Sequence, residues 1–284
     1  MPRPYAKGHI SGHDYAIFNT EAGALLDSLS SGSADVIFLD PPFNIGKQYE
    51  IPGFLDKDDP DVYLGWLKSV VRRCFDKLSD GGALYLYHLP SIAYQIAQTM
   101  SERLEFRHWI AVSMKNNFAR KGRLYPAHYA LLYFTKGPPK SFHRPRTQLR
   151  KCRHCGGLIK DYGGYLNIIE DNGGVNLSDV WDDLSPVRHA STKTRVPNEL
   201  PGELFGRVTA ISGLAGGTYV DPFMGSGGGV VAALSAHMKV VAGDVSVESC
   251  KIATSRVRGI EGGVHDGRHR RGATRKAALH RANH

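Results

Sequence analysis

Two short runs of residues carry most of the chemistry this sequence can do. The first is Asp40-Pro41-Pro42-Phe43, which ends the apolar run Val36–Leu39. An exocyclic amine on adenine or cytosine is a poor nucleophile, because its lone pair is spread into the ring. A group that accepts hydrogen bonds from both N–H atoms localises that pair. Asp40 supplies one acceptor oxygen and the Pro41 carbonyl the other, with the Pro41-Pro42 step keeping the backbone rigid. Phe43 offers a ring face on which a base can stack. Ligands gather beyond strand ends in open α/β sheets. The plainer reading is a strand-ending turn, where Asp-Pro and Pro-Pro steps are common.

The second run is Asp221-Pro222-Phe223-Met224-Gly225-Ser226-Gly227-Gly228-Gly229. It follows a strand and opens a helix. Glycines let the backbone approach a ligand closely, and free N–H groups at a helix start meet a carboxylate. About 20 residues on, Val240-Val241-Ala242-Gly243-Asp244 ends a second strand in an acid, the spacing of a ribose-hydroxyl acceptor in a nucleoside-binding βαβ unit. A nicotinamide enzyme would satisfy this pair equally, but it leaves Asp40-Pro41-Pro42-Phe43 unexplained.

The elements that must hold these runs alternate between strand and helix, which predicts an α/β sheet. Tyr15–Asn19 reads as a first strand, and Leu25, Leu26 and Leu29 as a short helix. From Asp61 to Leu78, the residues Tyr63, Trp66, Leu67, Val70, Val71, Cys74, Phe75 and Leu78 recur at helical spacing, with Asp61 as cap. Asp80-Gly81-Gly82 ends that helix, and Ala83–Tyr87 is the next strand. A helix over Ile92–Leu104 and strands over Trp109–Met114 and Tyr129–Phe134 follow. From Gly137 to about Arg195 the chain turns rich in Gly, Pro, Arg, His and Asp, and reads as an insert outside the sheet. Regular pattern returns with a helix over Glu199–Ser212, a strand over Thr218–Val220, a helix to about His237, a strand over Lys239–Ala242, and a last helix, capped by Ser246, to about Val257. The expected divisions are 1–136, 137–195, 196–258 and a flexible basic tail, 259–284.

The two runs together resemble the amino-methyltransferases of DNA, whose motifs are Asp/Asn/Ser-Pro-Pro-aromatic and a glycine-rich cofactor turn. The catalytic run comes first and the cofactor run last, with an insert between, an order similar to the β class of that family. The resemblance spans roughly residues 12–257. It implies a Rossmann-like S-adenosylmethionine-dependent methyltransferase fold, a mostly parallel doubly wound sheet with an inserted target-recognition region. It also implies Asp40, Pro41, Pro42 and Phe43 as catalytic residues. Asp221, Pro222, Phe223, Gly225, Ser226, Gly227 and Asp244 are the implied cofactor residues. Glu21 falls where the family often carries an acid near the cofactor, and Pro197-Asn198-Glu199-Leu200-Pro201 looks like its motif before the cofactor strand, with Asn198 at the cofactor's methionine end or simply capping a helix. The chain departs from the family at Gly228 and Gly229, where two threonines are usual, and at Asp244, where Glu is usual.

The activity so implied is methyl transfer from S-adenosylmethionine to a base of double-stranded DNA, by direct displacement after base flipping. In the family, Asp at the first motif position usually goes with N6 of adenine and Ser with N4 of cytosine, a correlation, since either amine needs the same acceptors. Transfer to cytosine N4 or to RNA is the near rival. A non-catalytic DNA-binding subunit is the distant one, supported by Gly228-Gly229 alone, and a nicotinamide oxidoreductase comes last. Related enzymes are often homodimers, and a cognate restriction nuclease is a further candidate partner.

Charge agrees with a polyanionic partner, or equally with a merely basic enzyme: 36 Lys and Arg against 27 Asp and Glu give +9 over 284 residues. One basic run, Lys115, Arg120, Lys121 and Arg123, lies between two strands of the catalytic half. Another, Arg144, Arg146, Arg150, Lys151 and Arg153, lies in the insert and suits phosphate contacts or a solvated loop. There Cys152-Arg153-His154-Cys155 has the spacing of a zinc knuckle, which His143, His154 or His189 would complete; two reduced thiols in a tight turn is the alternative. Four cysteines are too few for a disulfide scaffold. The start of the chain opens no apolar run and no stretch is long enough to span a bilayer, so a cytoplasmic protein without a membrane partner is expected.

Overall fold

Strands at the centre of a doubly wound sheet are covered on both faces and therefore read as unbroken apolar runs. The computed structural model describes residues 3–48, 55–56, 58–113, 121–122, 124, 126–152, 154–184 and 199–261. In chain order its main elements are β1 (Ala6–Ile10), β2 (His13–Asn19), α1 (Ala22–Ser28), β3 (Ala34–Leu39), α2 (Pro60–Lys77), β4 (Leu78–His88), α3 (Pro90–Met100), β5 (Glu105–Ser113), β6 (His128–Thr135), α4 (Leu166–Asp171), β7 (Val180–Trp181), α5 (Gly202–Ser212), β8 (Thr218–Asp221), α6 (Gly228–Ser235), β9 (Lys239–Asp244) and α7 (Val247–Glu261). The nine strands form one sheet in the order β1-β2-β9-β8-β3-β4-β6-β5-β7. Its pairs are parallel except β1 with β2, β4 with β6, and β6 with β5.

Alternate residues of each central strand go to opposite layers. Val36 and Phe38 join Tyr85, Tyr133, Tyr219, Phe205, Val208 and Val230 on the face covered by α5, α6 and α7. Ile37 and Leu39 join Leu26, Leu67, Val70, Val71, Leu84 and Ile96 under α1, α2 and α3. Cys74 and Cys250 are both buried free thiols on helices, as core residues. No helix among the described residues is long and apolar enough to cross a membrane.

The expected strands and helices form, with instructive shifts. β1 was not foreseen: it is a polar, mostly exposed edge strand, paired back on β2 through Ser11-Gly12, both at positive φ. That is the backbone a two-residue hairpin turn requires. β4 starts at Leu78 and runs through Asp80-Gly81-Gly82, which was read as the stop of the preceding helix. α5 starts at Gly202 rather than Glu199, because Pro201 takes the N-cap position. The segment after Gly137 is not wholly outside the sheet. β7 adds parallel to β5, and Trp181, 1% exposed, and Leu184 enter the core. Buried Arg207 of α5 holds that segment through both oxygens of Asp183 and lies over the Trp181 ring. The expected flexible tail starts at 259, but residues 259–261 still belong to α7; the rest of the tail lies outside the described residues.

The cap of α2 is Asp59, whose side chain accepts from the N–H groups of Asp61 (2.9 Å) and Val62 (3.4 Å), with Pro60 in the first turn. Asp61, the expected cap, sits two residues further in, within the first turn. Asp59→Ala is therefore expected to cost about 1 kcal/mol in denaturant unfolding, and Asp61→Ala less than half of that. Equal losses from the two variants would contradict the assignment of the cap.

Candidate active site

Parallel pairing brings together two runs that lie some 180 residues apart in sequence. Tyr219 pairs with Val36 and Val220 with Ile37, so Asp221 and Asp40 leave the sheet at the same, carboxyl edge. β9 lies on the other side of β8, with Asp221 opposite Ala242, which puts Asp244 at that edge too. All three acids of the expected site therefore meet where ligands bind in open α/β sheets.

The cofactor turn is held from three sides. Asp244 accepts from the Gly225 N–H (3.0 Å) through one oxygen and from the Ser246 N–H (2.8 Å) through the other. Ser246 in turn caps α7 through the Ser249 N–H (3.2 Å). Asp221 accepts from the Phe223 N–H (3.1 Å) and from the Tyr219 hydroxyl (3.3 Å), beneath the turn. Gly227 has φ +83°, and a Cβ there would lie 2.7 Å from that of Ala253, so only glycine lets α7 close on the turn. Ser226 accepts from Arg256 (2.9 Å), which also pairs with Glu199 (2.6 Å). The other Glu199 oxygen is buried without a hydrogen-bond partner among the described residues. Sequence reasoning named Glu199 only as a helix start and within the Pro197–Pro201 motif, with no role of its own, and passed over Arg256. Neither lies in a glycine-rich run, and only the packing of α7 brings them to Ser226.

These residues fit a nucleoside carrying an amino-acid end. Asp244 is only partly buried, and a carboxylate has lone pairs beyond the two that hold Gly225 and Ser246, so ribose hydroxyls have an acceptor. Glu21, at the start of α1, is exposed, and the neighbouring Thr20 N–H binds the Asp244 carbonyl (3.1 Å), so it lies at the same edge. Asn198 lies outside the described residues.

Around Asp40 the structure assembles an aromatic box. The Phe43 ring lies 4.6 Å from His88, 5.7 Å from Tyr129 and 6.1 Å from Tyr87, centroid to centroid. Burial and then the Asp40 charge push the Tyr87 and Tyr129 hydroxyls above the usual phenol range, which places both near that carboxylate. The strip itself is tied to α2. Tyr63 donates to the Pro42 carbonyl (2.5 Å), and the Asn44 side chain exchanges two hydrogen bonds with the backbone of Asp58 (2.7 and 3.0 Å). Trp66, expected on the buried face, is 39% exposed and meets Phe223 edge-on at 6.0 Å. Tyr63, Tyr87, His88 and Tyr129 were read as packing or passed over; the one hint was the recurrence of tyrosine on β4 and β6.

The glycines that replace threonines have a local cause. A Cβ on Gly229 would lie 2.4 Å from the Tyr219 hydroxyl and 2.8 Å from an Asp221 oxygen, and one on Gly228 would lie 3.0 Å from the Phe205 ring. The Tyr219 hydroxyl, which donates to Asp221, occupies the space that a side chain at 229 would need.

The remaining expected residues are placed unevenly. Arg150 pairs with Asp182, Lys151 is exposed in a bridge to Leu158, and Lys121 is exposed. Lys115, Arg120, Arg123, Arg153 and His189 lie outside the described residues. Cys152 and Cys155 form a tight knuckle, in which the Cys152 N–H binds the Gly157 carbonyl (2.7 Å) and the Gly156 N–H the Cys152 carbonyl (2.9 Å). Backbone N–H groups of Cys155 and His154 lower the Cys152 thiol below its usual range. A structural zinc needs four ligands, and no group of three His, Cys, Asp or Glu converges among the described residues, so the expected zinc site is not formed there.

Two outcomes follow. Gly229→Thr alone should destabilise the fold by about 1–3 kcal/mol through overpacking. Combined with Tyr219→Phe it should cost less than the sum of the single changes, because the new hydroxyl takes the vacated place beside Asp221. Strict additivity in denaturant titrations would refute the shared space. Burial pushes the Asp221 carboxyl up to about 7. Between its ordinary range and about 7 the folded chain holds a proton that the unfolded chain has released, so stability falls as pH rises through that window. Asp221→Asn should remove this loss, raising stability at pH 8 relative to the unchanged chain more than at pH 5; an equal effect at both would count against it.

Comparison with known proteins agrees with this geometry. The Type II methyltransferase M.BamHI of Bacillus amyloliquefaciens is 42% identical over 212 residues, which is 74% of this chain and 50% of that protein, so the chain spans about half the length of this relative. The fold is shared with the cytosine-N4-specific PvuII DNA methyltransferase (TM-score 0.63, 14% identity, 93% of this chain and 97% of that one). It is shared also with M1.HpyAVI, crystallised with S-adenosylmethionine (TM-score 0.58, 17% identity, 86% and 98%). A family model described as DNA methylase, N6_N4_Mtase, matches residues 34–255, from the first residue of β3 into α7, and the chain belongs to that family.

Proposed function

We propose that the protein is a site-specific DNA methyltransferase that methylates an exocyclic amine of a flipped-out base in double-stranded DNA, with N6 of adenine as the acceptor. The observation that carries this reading is the meeting of Asp40 with the Asp221–Asp244 edge across one pair of parallel strands. The family's cofactor, S-adenosylmethionine, supplies a methyl group already activated on a sulfonium. The chain's own residues then have positioning, desolvating and charge-offsetting work to do. Asp40 accepts from the amine and offsets the positive charge that develops on it. The Pro42 carbonyl is engaged by Tyr63, which agrees with Pro41 as the second acceptor. Phe43, Tyr87 and Tyr129 offer the base ring faces.

The choice of adenine follows from Asp rather than Ser at position 40. Cytosine N4 is the second reading, since its amine needs the same two acceptors and an enzyme named for it shares the fold. The non-catalytic reading leaned on Gly228-Gly229, and the contacts of Tyr219 and Phe205 give those glycines a packing reason instead. The insert around Arg150 and Lys151 and the exposed Lys121 are the proposed contacts to phosphate, with Lys115, Arg120, Arg123 and Arg153.

The test is incubation with unmethylated genomic DNA and methyl-labelled S-adenosylmethionine, followed by mass spectrometry of the nucleosides. Label in N6-methyladenine supports the full reading, and label in N4-methylcytosine keeps the chemistry but changes the base. No label in either, from protein that binds the cofactor, would overturn it. Asp40→Ala should lower turnover by about 100-fold or more and spare cofactor binding. Asp244→Ala should instead weaken the cofactor by about tenfold or more.

A further inference from the structure

The Asp40–Phe43 strip leaves the sheet ladder after Leu39, so something other than strand pairing must fix its backbone. A buried chain of hydrogen bonds reaches it. The Leu89 N–H donates to Nδ1 of His88 (2.7 Å), so Nδ1 is an acceptor and Nε2 carries the ring proton. Nε2 lies 2.7 Å from the Tyr63 hydroxyl, and that hydroxyl lies 2.5 Å from the Pro42 carbonyl. A carbonyl only accepts, so the directions are settled end to end. Leu89 donates to His88, His88 to Tyr63, and Tyr63 to Pro42. Every polar atom of the two side chains is used, and both residues are shielded from water, His88 fully and Tyr63 at 3% exposure. Burial lowers the imidazole to about 4, so the ring stays neutral, as the chain of donors needs.

We infer that Tyr63 and His88 are positioning residues for the Asp40–Phe43 strip, the tyrosine hydroxyl fixing the Pro42 carbonyl and the imidazole fixing both that hydroxyl and the Phe43 ring. The inference rests on the proposed role of the strip in methyl transfer. Packing alone would not call for this pair. α2 and β4 are already held by Leu67, Val70, Val71, Leu84 and Leu86, and a buried polar pair adds little there unless its far end has a task. That far end is neither α2 nor β4 but the Pro42 carbonyl, between the proposed acceptor Pro41 and the proposed stacking ring of Phe43.

Tyr63→Phe removes the hydroxyl and keeps the ring. His88→Gln keeps an acceptor for Leu89 and a donor for Tyr63. With Tyr63→Phe, kcat should fall by about 10- to 100-fold, the scale of a small misplacement of a reacting group. The Kd for S-adenosylmethionine should stay unchanged, and His88→Gln, which keeps both hydrogen bonds but loses the ring contact with Phe43, should give a kcat between those of the unmodified protein and Tyr63→Phe. Hydrogen exchange gives a readout independent of turnover. Pro41 and Pro42 have no amide, so the Phe43 and Asn44 amides report on the strip and should exchange faster in Tyr63→Phe. Wild-type kcat in Tyr63→Phe, or unchanged exchange at those two amides, would overturn the inference. If the unmodified protein methylates neither base while the exchange still quickens, the functional reading falls and the tether stands.

Discussion

The pairing of β3 with β8 is the constraint on which the rest of the site depends. The two chemical runs are remote in sequence, and no local structure can join them. Parallel register does so, because Val36–Tyr219 and Ile37–Val220 fix how far each strand projects beyond the other. The register is itself held by packing. Both strands are buried on both faces, and a slip of one residue would exchange the two layers of side chains. Phe38 meets the Phe205 ring edge-on at 5.0 Å on one side, while Ile37 and Leu39 enter the layer under α2 on the other. The distance from Asp40 to the cofactor turn is thus a consequence of core shape.

α2 then acts as a strut between the two runs. Its first turns present Tyr63 to Pro42 and Trp66 to Phe223, and the approach to its cap binds Asn44. The same helix is anchored by Leu67, Val70, Val71 and Cys74, all buried. In the proposed transfer, a rigid element that touches both the Asp40 strip and the glycine turn would keep their separation constant, which is what in-line displacement asks of a protein. The coupling of Gly229 to Tyr219 has the same character. A residue of the strand core sets which residue the turn above it can carry.

Much of this was legible in the sequence because the signals were local. Val36–Leu39 ending in Asp40-Pro41-Pro42, and Thr218–Val220 ending in Asp221-Pro222, announce buried strands by apolarity and their ends by proline. What was illegible depended on partners far along the chain. β1 is polar, and its strand character comes from pairing with β2; the Ser11-Gly12 step was the available sign. β7 is two residues long, and only the edge of β5 makes it a strand. Helical spacing placed Tyr63 on the buried face but could not say that this face ends under Pro42. It also placed Trp66 with the core, because spacing does not tell where along a helix the covering layer stops.

The structure also separates two acids that sequence reasoning grouped together. Asp221 is 1% exposed, with one oxygen holding the turn through the Phe223 N–H and the other accepting from the Tyr219 hydroxyl of the strand below. Asp244 is less covered and stands at the strand end, with lone pairs left after binding Gly225 and Ser246. Burial raises both carboxyls, and for Asp221 the nearby Asp244 adds to the rise. An acid held up in this way prefers to be neutral, and a neutral carboxyl suits a structural brace better than a ligand contact. An acid at the open edge recovers its charge as donors arrive. In the proposed reading the nucleoside contact therefore falls to Asp244, with Asp221 bracing the turn through the Phe223 N–H.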